Sequence, residues 1–184
     1  RKNPTETFFL ATGKTGRDFN TLIEAARLVH YDIKVIAPKE QKPHNLPANI
    51  LWLDSSSNPP DNAIDYPTLR EWYAQCIAVC IPLSGDADDT CGYTNILEAM
   101  AMCKPVLMTQ SGCLHINAET GGFGIVIKPR DVQGWVNAIN HLHQDHEKAL
   151  GMGNRGREIV ERDFTIERFN QDVLEFIETI LNKS

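Results

Sequence analysis

The chain has 184 residues, 42% hydrophobic and 23% charged, with a formal net charge of −6. That is the length and composition of one globular domain with a sizeable core. The acidic balance argues against a nucleic-acid or membrane-surface role, because phosphate groups select basic patches, and no apolar run reaches the roughly 20 residues of a membrane helix.

Taken in chain order, "FFLATG" (8–13) is a short apolar run ending in Gly, the pattern of a buried strand. "DFNTLIEAARLV" (18–29) spaces Phe19, Leu22, Ile23, Ala26 and Val29 as one face of a helix. "DIKVIAP" (32–38) and "NILWLD" (49–54) are the next strands, and 55–67 reads as loop. Pro67 opens the helix "PTLREWYAQC", a favoured place for a residue with no N–H. "IAVCIPLS" (77–84) is nearly all apolar, as in a central parallel strand covered on both faces. The helix "TNILEAMAMC" and the strands "PVLMTQ" (105–110) and "GIVIKP" (124–129) follow. Helices then cover about 131–145, 147–161 and 165–182. Strands alternating with helices predict an α/β fold, a Rossmann-like doubly wound parallel sheet with helices on both faces.

The five cysteines, at 76, 80, 91, 103 and 113, form no CxxC pair, so reduced thiols in a cytoplasmic protein are expected. Cys91 has no His or Asn placed to activate it and reads as a loop or core residue. His141, His143 and His146 in "HLHQDH" lack zinc-helix spacing, so no metal is expected. Trp52, Trp72 and Trp135 stand in apolar periodic contexts and read as core. The chain opens at Arg1 without a signal-peptide pattern, and is expected to be part of a longer protein.

Ligands of open parallel sheets bind at the loops beyond the strands' carboxyl ends. Three such loops carry suggestive chemistry: "GKTGRD" (13–18), "SGDADDTCGYT" (84–94) and "QSGCLH" (110–115). In the first, Gly13 permits close backbone approach while Lys14 and Arg17 supply positive charge. Neither the P-loop nor the G-x-G-x-x-G pattern is present.

The stretch "ILEAMAMCKPVLMTQSG" resembles the signature of nucleotide-sugar glycosyltransferases with the GT-B fold, near glycosyltransferase family 4. "GGFGIVIKPRD" (121–131), "REIVERDFTIERF" (157–169) and "ATGKTGRDFNTLIEAA" resemble other segments of that family, in the same order. The resemblance implies that residues 1–184 are one half of a GT-B fold: the C-terminal, nucleotide-sugar-binding domain. The N-terminal acceptor domain would lie outside the chain. It further implies that the N–H groups of Tyr93 and Thr94, entered through Gly92, face the distal phosphate, that Glu98 binds both ribose hydroxyls, and that Ser111 and Gly112 line the sugar pocket. Lys14 stands where the family has Arg, and Arg17 substitutes for a later Lys. Thr90 stands eight residues before Glu98, where the family has a second glutamate that contacts the sugar. Cys103 stands where the family often has Gly.

The expected function is donor binding for transfer of a hexose from a UDP- or GDP-sugar to a saccharide, lipid or other hydroxyl acceptor, with retention. Lys14 and Arg17 would neutralise the leaving diphosphate, and no cofactor or metal is called for. A GT-B epimerase or phosphorylase, or a non-catalytic nucleotide-sugar-binding module, is the alternative. Any membrane contact is expected only through the missing half.

Overall fold

The computed structural model describes residues 8–55, 64–85, 90–111 and 115–182. Phe8–Thr12 (β1), Asp32–Ala37 (β2), Ile50–Asp54 (β3), Cys76–Ile81 (β4), Val106–Thr109 (β5) and Gly124–Ile127 (β6) form one six-stranded sheet. Its order is β3-β2-β1-β4-β5-β6, and every neighbouring pair is parallel. Parallel neighbours need long crossovers. Phe19–Ala26 (α1), Tyr66–Gln75 (α2) and Tyr93–Ala101 (α3) lie in three of them. Val132–Gln144 (α4), His146–Asp163 (α5) and Ile166–Leu181 (α6) complete the fold.

Side chains alternate across a strand, so β1 divides its residues between two cores. Phe9 and Ala11 face the core built with α1 and α4, and Phe8 and Leu10 face the core built with α2 and α3. Burial on both faces is why β1 and β4 read as unbroken apolar runs. Trp135 is fully buried, and Trp52 meets Phe19 edge-on at 5.1 Å. Trp72 packs edge-on to Phe8 at 6.2 Å. All three tryptophans are packing residues, as read from their periodicity.

Several boundaries move for local reasons. α1 stops at Ala26 instead of running to Val29, because Asn49 Nδ2 donates to the carbonyls of Ala26, Val29 and Tyr31. α2 begins at Tyr66, one residue before Pro67, with Asp65 as its cap. α2 passes directly into β4, which spans 76–81 and not 77–84. Pro82 has no N–H for the ladder, which ends the strand there. Cys103 adopts φ +56 just beyond α3. That left-handed conformation closes many helices and favours glycine, the residue that the resemblance implies at this place.

His143 stacks on Tyr31 with ring centroids 3.6 Å apart, while His141 and His146 are exposed. Burial, with His146 nearby, lowers the His143 pKa. Among the described residues, no group of three or more His, Cys, Asp or Glu is arranged to hold a metal. No described helix is long and apolar enough to cross a membrane. α6 packs none of its side chains into either core, and Phe169, Leu174, Phe176 and Leu181 are each at least 60% exposed.

Candidate functional site

The strand order reverses between β1 and β4, and in open sheets the crevice outside the carboxyl ends at such a point is where ligands bind. The loops leaving β1 and β4 are tied together there. Asp18 N donates to Pro82 O at 2.8 Å, Ser84 N donates to Gly16 O at 3.0 Å, and Arg17 bridges Leu83. Thr109 Oγ1, at the end of β5, accepts from Leu83 N at 3.1 Å. The polar ends of β1, β4 and β5 thus form one bonded floor.

Arg17 folds back over the first loop. Its Nη1 donates to Thr15 O at 2.7 Å, and its Nη2 reaches Asn95 Oδ1 at 2.6 Å. A Cβ on Gly13 would lie 2.4 Å from Arg17 Nε, and Gly13 has φ +144. Glycine is therefore required at 13 for the guanidinium to lie where it does.

Asn95 belongs to the first turn of α3, so Arg17 is held at that helix's N-terminus. α3 begins at Gly92, with φ +95 and no side-chain cap. The other α-helices each have a side-chain acceptor at this position: Asp18, Asp65, Asp131, Asp145 and Thr165. A Cβ on Gly92 would sit 3.0 Å from Ile81 Cγ2, so the start of α3 is pressed onto the end of β4. With no side-chain cap, the first-turn N–H groups, at Tyr93 and Thr94, are open to a ligand, and the helix dipole makes this end favourable for an anion.

From Asn95 a row of hydrogen bonds continues inward. Asn95 Nδ2 donates to Thr12 Oγ1 at 2.5 Å, Thr12 Oγ1 lies 3.4 Å from Tyr73 Oη, and Tyr73 Oη donates to Glu98 Oε2 at 2.6 Å. Burial and the Glu98 carboxylate push the Tyr73 phenol far above its ordinary value, so it stays protonated and acts as a donor. Glu98 is half-buried and lines a groove of about 340 Å³ between α2 and α3, shared with Tyr66, Leu69, Arg70, Tyr73 and Met102. One bond from Tyr73 leaves a carboxylate able to accept further donors.

Of the residues expected from the sequence, the structure brings Gly13, Arg17, Gly92, Tyr93, Thr94 and Glu98 together around the start of α3. Lys14 is exposed, and its backbone carbonyl accepts from Gln41 Nε2 at 2.5 Å. Thr90 is exposed just before α3. Ser111 is half-buried beyond β5, and Gly112 lies outside the described residues. Thr12, Asn95 and Tyr73 were not expected. Tyr73 sits among apolar residues of α2 in the sequence, and only its phenolic oxygen hinted at a polar partner.

A family model described as "Glycosyl transferases group 1" matches residues 10–145. No curated protein matches this sequence. Among solved structures, sucrose-phosphate synthase from Thermosynechococcus elongatus aligns with a TM-score of 0.76 and 19% identity, over 97% of this chain and 46% of that one. Anabaena Alr3699/HepE, solved in complex with UDP and glucose, aligns at 0.73 and 19% identity, over 95% of this chain and 49% of that one. A C-terminal domain of a glycosyl transferase group 1 family protein (LpcC) from Francisella tularensis aligns at 0.64 and 16% identity, over 90% of each chain. At these identities the likeness establishes the fold, one half of GT-B. The chain spans about half the length of the first two, 46% and 49%.

Proposed function

This chain belongs to the glycosyl transferases group 1 family, and from that premise we propose that residues 1–184 bind a UDP- or GDP-sugar, whose hexose the whole protein transfers with retention to an acceptor hydroxyl. One observation carries the reading: a cation, an uncapped helix start and a carboxylate stand in one hydrogen-bonded row at the switch point of the sheet. That order matches the order of a nucleoside diphosphate. The diphosphate lies against Arg17 and the N–H groups of Tyr93 and Thr94, and the ribose diol donates to Glu98. The base enters the groove between α2 and α3, whose volume of about 340 Å³ is in the range of small-ligand pockets.

In this reading Arg17 and the α3 N-terminus supply the larger share of catalysis that this domain can give. Negative charge grows on the diphosphate as the glycosidic bond breaks, and preorganised donors stabilise it without reorganising. Lys14, exposed on the same loop, adds a second positive charge. Thr90 offers a neutral hydroxyl to the sugar where the family has an acid, and Ser111 lines the far side of the sugar. A second domain, absent from residues 1–184, holds the acceptor; the half-length match to the relatives supports this division. Without it, orientation of the acceptor is lost.

The test is calorimetric titration of residues 1–184 with UDP, GDP and ADP and with the corresponding nucleosides. Selective binding of one uridine or guanosine diphosphate, without sugar transfer by this domain alone, is expected. Neutralising Lys14 and Arg17 together should weaken the diphosphate far more than the nucleoside. Equal losses for the two ligands would remove Arg17 from the phosphate site.

A further inference from the structure

We propose that Tyr73 is a positioning residue: through its hydroxyl it holds the Glu98 carboxylate at a set distance from Arg17, so that the site recognises a ribose diol and a phosphate as one unit. This rests on the donor-site reading above. An ionised carboxylate only accepts and a tyrosine hydroxyl has one proton, so the 2.6 Å contact spends the Tyr73 proton on Glu98 Oε2. Tyr73 Oη then has only lone pairs to offer Thr12, and the proton in that 3.4 Å contact comes from Thr12. Thr12 Oγ1 in turn accepts from Asn95 Nδ2 at 2.5 Å. That places the Asn95 amide oxygen on the opposite side, where it accepts from Arg17 Nη2 at 2.6 Å.

Every proton in the row therefore points from Arg17 towards Glu98. The row has a cation at its donor end and an anion at its acceptor end, so each bond polarises the next in the same sense. Its middle is buried: Tyr73 is 3% exposed and Thr12 is 7% exposed. Those two residues come from α2 and from β1, elements held by separate contacts with the sheet. Glu98 by itself, half-buried on α3 with freely rotating side-chain bonds, could turn to solvent or into the groove. The Tyr73 hydroxyl selects one orientation, and the rigid phenol ring, packed in the core, transmits the position of the sheet to it.

Tyr73→Phe keeps the ring and removes the bond. The probes are the diphosphate bound by the unaltered protein and its 2′,3′-dideoxy analogue, titrated on the same samples. Tyr73→Phe should weaken the ribose-bearing ligand by about fivefold to tenfold, the net scale of a single hydrogen bond, and leave the dideoxy analogue within about twofold. In a Glu98→Ala background Tyr73→Phe should have no further effect on either ligand, since residues acting through one contact are non-additive. A role confined to packing predicts equal losses for both ligands, and that result, or no loss at all, overturns the proposal. Thermal unfolding without ligand checks the fold. Should the Phe variant not fold, Tyr73→Met, which also lacks the hydroxyl, must show the same ribose-selective loss. Binding of neither UDP nor GDP by the unaltered protein would overturn the donor site itself and the proposal with it, which separates the two failures.

Discussion

α3 and α4 begin at the same edge of the sheet, one after β4 and the other after β6, yet they finish their first turns in opposite ways. At α4, Asp131 Oδ1 accepts from Gly134 N at 2.8 Å, and the helix satisfies itself. At α3 the equivalent residue is Gly92, which has no side chain to offer. α4 then buries Trp135, Ile139 and Leu142 completely. α3 buries Ile96, Ala99 and Met100 on one side, and on another sends Glu98 to a tyrosine and a groove. The local architecture is shared; a single cap residue separates a helix that is self-contained from one that is left open to an anion.

Four substitutions sharpen this contrast. The largest effect belongs to the closed helix: Trp135→Ala should cost about 3–5 kcal/mol of stability by opening a cavity in the core, read as a lower urea midpoint. Glu98→Ala should weaken diphosphate binding by about 1.5–3 kcal/mol, the worth of hydrogen bonds to a charged group. Its unfolding midpoint should stay close to that of the unaltered protein; a large stability loss without a binding loss would reverse the contrast. Gly92→Ala should cost about 1–2 kcal/mol, because a side chain at left-handed φ is strained and this one also meets Ile81. Both unfolding and titration should register it, since the displaced turn is the one proposed to face the phosphate. Asp131→Ala removes only a cap and should cost about 1 kcal/mol of stability with nucleotide affinity unchanged. An affinity loss there would mean that α4 also belongs to the site.

The alternation of strands and helices was legible because hydrophobic period is a local property. Gly13, Arg17, Gly92 and Glu98 stand out in the sequence for a different reason, their places in strand-to-helix loops and in recognisable segments. Lys14 and Arg17 could not be ranked from sequence, being two cations in one loop. The structure separates them, with Arg17 bonded to Asn95 on α3 and Lys14 exposed. The end of α1 does not show in the local pattern because the residue that stops it, Asn49, lies 23 positions from Ala26. Tyr73 was hidden because its ring obeys the apolar pattern of α2, while its hydroxyl answers to Thr12, 61 positions away, and to Glu98, 25 positions away.

The sequence by itself determined the class of fold, the identity of the strands, and which loop and which helix carry the charged chemistry. All of these follow from neighbours within a few residues or from segments whose order along the chain is diagnostic. Strand order belongs to the tertiary structure alone. β1 pairs with both β2 and β4, and that choice sets the switch point where the loops after β1 and β4 meet. So does the row from Arg17 to Glu98: hydrogen bonds extend only about 3 Å, so no member can be named until the backbone has brought β1, α2 and α3 to one place.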